Sequence, residues 1–209
     1  MKNLLKNLTR ITALIVAVYF ICMLISCVPL FSDIQSAKMV GKGNFEITPS
    51  YSKVGPTSSS YGVQGALGLS EKVDLRMRIE QSDFGFDTGD DFIEGIYGGN
   101  ETHIGVGPKI SIKENHMSFY LPVFMIMVDG EVVGSEIQPT ILGTVQLSKY
   151  LELNPSAKVL PLYQDMALNL GVGIGDPDKF VFRAEYGRLV TVGLEQFSVG
   201  VSIPLTKKE

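Results

Sequence analysis

Tryptophan is missing from this 209-residue chain, and cysteine and histidine occur only twice each. So few soft ligands leave little material for a zinc centre or a disulfide scaffold. Clusters of Lys and Arg are also missing, apart from Lys207-Lys208 in the tail, and the formal net charge is −4. Nucleic acid is therefore a poor candidate partner. No stretch carries apolar residues at helical spacing over a useful length, which argues against a helical domain. Glycine, in contrast, is frequent at 22 residues, as expected of an all-β chain with many turns.

Long apolar runs are scarce as well, and the one at the front is short. Lys2, Lys6 and Arg10 precede Ile11 to Ser26, which holds no charge. A basic start, an apolar stretch and a small residue before a cut describe a secretory signal. At about 16 residues the run falls short of the roughly 20 needed to cross a bilayer core as a helix. Residues 1–26 are accordingly expected to be a signal peptide. Cys22 lies in the segment to be removed, so it offers Cys27 no disulfide partner.

Leu24-Ile25-Ser26-Cys27 resembles the bacterial lipoprotein lipobox, in which a small residue precedes the cysteine that takes the lipid. The resemblance implies lipidation at Cys27. Position 28 is Val rather than Asp, which by the same resemblance implies passage to the outer membrane of a bacterium. Residues 27–42 then read as a lipid-anchored tether without sustained periodicity, and 43–206 as the folded domain.

Within that domain the period is 2. Val73, Leu75, Met77 and Ile79 alternate with Asp74, Arg76, Arg78 and Glu80, a strand with one apolar and one charged face. Similar alternation starts at Phe45, His103, Ile137, Leu151 and Phe197, and less regular segments fill 61–70, 117–128, 167–175 and 180–188. About ten strands result. The connections at 70–72, 113–116, 148–150 and 176–179 read as tight; those at 53–60, 81–101, 129–134, 162–166 and 189–193 read as longer. Short turns on one side and longer loops on the other predict an all-β, antiparallel up-and-down transmembrane β-barrel with both ends on the short-turn side. Aromatics near both strand ends, such as Tyr51 and Tyr61 against Tyr150 and Phe180, suit two interfacial girdles. Alternation alone leaves a second architecture open: a soluble barrel or sandwich whose apolar face points inward around an apolar ligand.

The lipobox, Ser36–Ser52 and Leu67–Glu80 together resemble small outer-membrane β-barrel lipoproteins of Bacteroidetes-type bacteria. That resemblance implies outer-membrane lipid as the surrounding partner.

Several sets of residues remain as candidate sites. Asp74, Arg76, Arg78, Glu80, Lys109, Glu136, Glu152, Lys158, Arg183 and Glu185 would face the lumen. They read either as a salt-bridged filling or as the lining of a narrow solute channel. Asp83, Asp87, Asp90 and Asp91, with Glu94, form an acidic, glycine-bearing loop with oxygen ligands suited to calcium but without EF-hand spacing. His103 and His116 fall near opposite strand ends and cannot share a metal, so no metal site is expected. No His-flanking Asp motif suggests acid–base catalysis, and neither enzymatic activity nor a cofactor is expected. The alternating glycines Gly105, Gly107, Gly171, Gly173 and Gly175 lie within strand patterns with no helix following, so they read as thinning one barrel face rather than as phosphate loops.

Overall fold

Side chains of a β-strand point alternately to its two faces, so the period-2 segments each offer an apolar and a polar side. In the computed structural model, which describes residues 31–56, 58–83 and 100–205, these segments close on themselves. Thirteen strands are described: β1 Phe45–Val54, β2 Ser58–Ser70, β3 Val73–Asp83, β4 Asn100–Lys113, β5 Met117–Tyr120, β6 Val123–Val128, β7 Glu131–Ile137, β8 Thr140–Gly143, β9 Val145–Ser148, β10 Leu151–Leu160, β11 Asp165–Asp176, β12 Phe180–Leu189 and β13 Glu195–Leu205. β5 and β6 run end to end as one stave, and β7, β8 and β9 as another, so ten staves form the wall. Every pairing is antiparallel, each stave pairs with the next in sequence, and β13 returns to pair with β1. The result is a closed up-and-down barrel, in which β8 and β9 carry the sixth stave's pairing to β10.

Proline interrupts the two broken staves. Pro122 separates β5 from β6 and Pro139 separates β7 from β8, because proline has no N–H to give the ladder. Neighbouring groups bridge both gaps. The Leu121 N–H donates to Pro108 O at 3.0 Å and the Val159 N–H to Pro139 O at 2.9 Å. At the first gap the backbone dips toward Gly107, where a Cβ would lie 2.2 Å from Leu121 O.

The connections differ from expectation in two places. The β1–β2 link is only residues 55–57, and β6 meets β7 through Asp129 and Gly130, both with positive φ. Strand pairing continues further than the hydrophobic pattern marks, because Ser58–Ser60 carries no apolar side chain and the adjacent Val132 and Val133 break the alternation. The turns at 71–72, 114–116, 149–150 and 177–179 sit together at one end, and the connections at 129–130, 161–164 and 190–194 sit at the other.

The direction of the faces follows from burial. Met77, Ile79, Ile110, Leu168, Leu170 and Phe197 are about half exposed on the outside. Asp74, Arg76, Lys109 and Lys158 are sealed inside. A soluble barrel places its apolar face inward; this one is inverted, as a barrel solvated by lipid must be. Tyr51, Tyr61, Tyr150 and Phe180 are also on the outer surface.

The stretch read as a free tether behaves differently from that expectation. Residues 31–37 are buried within the barrel. They lack strand periodicity because they pair with wall side chains rather than with a sheet edge.

Replacing Ile79 with Arg, on the outer face near the middle of β3, is expected to cost about 2–4 kcal/mol, since a charge is placed in lipid. The same change at Val192, in the β12–β13 connection, is expected to be near neutral. Urea unfolding from lipid vesicles measures both; equal and negligible losses would contradict the inverted orientation.

Candidate functional site

The lumen presents a physical problem. Staves closed into a barrel shut their inward side chains away from bulk water, and buried charges are costly unless paired and hydrogen-bonded. Part of the solution is within the wall. Arg78 pairs with Glu80, which also accepts a hydrogen bond from Ser60 Oγ at 2.6 Å. Arg76 lies 3.2 Å from Asp74 and 3.6 Å from Glu46. Arg183 donates to Glu152 Oε1 at 2.7 Å and to Ser202 Oγ at 2.8 Å. Thr48 and Ser202, and Ser52 and Ser198, join hydroxyls across the β1–β13 seam.

Other wall charges are not satisfied by their neighbours. Lys158 sits opposite Thr140 on β8 and Ala167 on β11, neither of which offers a carboxylate. Lys109 is opposite Asp74 and Tyr120, and its ammonium is 3.9 Å from the Asp74 carboxylate. The N-terminal segment supplies what these two require. Asp33 Oδ1 accepts from Lys158 Nζ at 2.8 Å and lies 3.4 Å from Arg78. Lys109 Nζ donates to the carbonyls of Ser36 at 2.9 Å and Lys38 at 2.6 Å. Lys38 in turn reaches Glu152 Oε2 at 2.6 Å.

The segment's own backbone is satisfied by wall side chains. The N–H groups of Phe31 and Ser32 donate to Gln196 Oε1 at 2.9 and 3.2 Å, and that of Asp33 to Glu185 Oε1 at 3.0 Å. Ala37 N–H donates to Thr144 Oγ1 at 2.8 Å, and Val40 N–H to the Asp74 carboxylate. Asn169 Nδ2 donates to Phe31 O at 3.1 Å, and Arg78 donates to Ser32 O. Buried main-chain groups demand partners, and side chains spread around the ring provide them.

Shape agrees with charge. Gly187 and Gly200 face inward, and a Cβ on them would lie 2.9 Å from the Phe31 ring and 3.3 Å from an Ile34 methyl. Phe31 packs with Leu160, Ala167 and Leu189, and Ala37 with Tyr120 and Leu142. Ile34 holds φ at +48°, a strained backbone for a β-branched residue that only surrounding contacts maintain. Beneath the segment, a vestibule of about 260 Å³ opens at the short-turn end between Glu46, Glu152 and Arg183.

All ten inward charges named from the sequence are buried in this lumen. Glu136 stands apart from the clusters, accepting from Gln138 and from the Leu162 N–H at 3.3 Å. Sequence reasoning missed Asp33, Lys38, Gln196 and Asn169. The available signal was Lys158, an inward cation without a carboxylate opposite it. His103 is inside, 3.1 Å from Glu101, while His116 lies in a turn and meets Glu114 O at 2.7 Å. Of the acidic loop, Asp83 ends β3; Asp87, Asp90, Asp91 and Glu94 lie outside the described residues, as do Cys27 and the signal segment.

No protein-family model and no curated protein matches the chain. Solved structures resemble it at low sequence identity. The KdgM porin in complex with disordered oligogalacturonate is 10% identical, with 76% of this chain and 98% of that chain covered and a TM-score of 0.45. The N-terminal β-barrel domain of Pseudomonas aeruginosa OprF is 12% identical, with 79% and 99% covered and a TM-score of 0.36. Ail, the attachment invasion locus protein of Yersinia pestis, is 13% identical, with 78% and 99% covered and a TM-score of 0.37.

Asp33→Asn is expected to strand the Lys158 ammonium and to lower stability by about 3–5 kcal/mol, as for a buried pair broken on one side. Adding Lys158→Met should recover most of that loss. Unfolding midpoints of the single and double variants in detergent check this, and simply additive losses would show that the two residues are not coupled.

Proposed function

We propose that this chain is a non-enzymatic, lipid-anchored outer-membrane β-barrel whose lumen is closed by its own N-terminal segment, with a structural or binding role played by its outer connections. The observation that carries the reading is the inverted barrel: apolar side chains such as Ile79 and Leu168 outside, and a charged interior occupied by residues 31–37. The closed, inverted barrel supports the outer-membrane part of the reading, since a barrel satisfies its backbone groups within its own sheet. Lipidation at Cys27 rests on the lipobox resemblance.

A soluble barrel holding an apolar ligand fits poorly, because the interior offers Lys109, Lys158, Arg78 and Glu185 where such a ligand needs hydrocarbon. A solute channel has one specific feature in its favour, the ring of inward charges. It would require the segment to leave, which would strip Lys158 of Asp33 and Lys109 of two carbonyls. We therefore read the resting state as closed.

Planar-bilayer recording tests closure. The full chain is expected to insert without resolved conductance steps, whereas a variant lacking residues 31–40 is expected to give them. Steps of equal size from both would contradict the closed lumen. Separately, heat-modifiable migration on a gel after detergent extraction is expected; a soluble monomer after removal of residues 1–27 would contradict the membrane reading.

A further inference from the structure

The direction in which the N-terminal segment runs has a bearing on where its upstream end lies. At its downstream end, Gly43 N–H donates to Gly68 O at 2.8 Å and Lys42 N–H to Glu71 at 3.4 Å, beside the β2–β3 turn. A Cβ at Gly68 would collide with Gly41 O at 1.8 Å, so this contact is built into the wall. At its upstream end, Phe31 is buried among Leu160, Ala167 and Leu189, with Tyr163 and Leu194 packed against them. Those residues belong to the opposite end, around the 161–164 and 190–194 connections. The segment therefore traverses the lumen, and ten residues at about 3.3 Å each suffice to do so.

We propose that the chain enters the lumen from the long-connection end, with Phe31 at its mouth, so that a lipid carried at Cys27 would anchor the protein in the outer leaflet. This rests on the lipid-anchored outer-membrane reading, and it sets the anchor opposite the short-turn side, where the sequence puts both ends of the barrel. Cys27 is four residues from Phe31, a reach of at most about 14 Å, well short of a hydrocarbon core of about 30 Å. On this proposal a lipid at Cys27 belongs to the leaflet on the long-connection side.

The same geometry bears on assembly. Drawing acyl chains through a finished lumen would set hydrocarbon against Arg78, Lys109, Lys158 and Glu185 while those charges lacked partners. The segment's partners lie on β3, β4, β10, β11, β12 and β13, most of the way round the ring.

Single-cysteine labelling tests the exit side. Pro29→Cys, Val192→Cys in a long connection and Lys72→Cys in a short turn are each treated with a membrane-impermeant maleimide on intact cells, then after permeabilisation. The expected result is labelling of P29C as strong as that of V192C on intact cells, with K72C silent until permeabilisation. Labelling of P29C only together with K72C would overturn the proposal, as would exposure of K72C with V192C silent. Incorporation of an alkyne fatty acid into the wild type, lost in Cys27→Ser, is read in parallel. Its absence from the wild type would overturn the anchored reading and the acyl placement, while the maleimide pattern still decides the exit side of the chain.

Discussion

The Asp33 carboxylate, inside the barrel between Lys158 and Arg78, is the interaction on which the rest of the interior depends. A lipid-facing barrel must place its polar residues inward, and a ten-stave ring is too narrow to hydrate them as a wide pore does and too wide for short side chains to fill. The gap is closed here by a length of chain. Asp33 brings the charge that Lys158 lacks, the carbonyls of Ser36 and Lys38 bring the acceptors that Lys109 lacks, and Phe31 and Ala37 bring volume.

This arrangement differs from a hydrophobic core in what it specifies. Apolar contacts tolerate sliding, whereas a segment whose N–H groups are matched to Gln196, Glu185, Thr144 and Asp74 has one register. Gly187 and Gly200 reinforce it by leaving hollows for Phe31 and Ile34. The strained φ of Ile34 persists because those contacts over-determine it. Electrostatics and shape therefore select the same path through the lumen, from the long connections down to the turn at Gly41–Asn44 that leads into β1.

Much of the wall could be read from residues alone. Val73–Glu80 announces its two faces without ambiguity, and the stave count and antiparallel order follow from turn spacing. Which face met lipid was not legible, because period 2 is the same inside out. The segment was illegible for a related reason: its partners are side chains scattered over the ring, so no periodicity marks it. The clue lay in the wall. Lys158 between Thr140 and Ala167 has no carboxylate across either ladder, and an inward cation so placed implies an anion from outside the sheet.

Hydrogen exchange on the protein in lipid tests the central claim most directly, since it reads the segment's backbone without altering it. If the segment fills the lumen, the amides of Phe31, Ser32, Asp33, Ala37 and Val40 exchange as slowly as those of the β10 and β11 ladders, because each donates to a wall side chain. Exchange of these five at the rate of an unstructured linker, with the barrel strands still protected, would contradict the account.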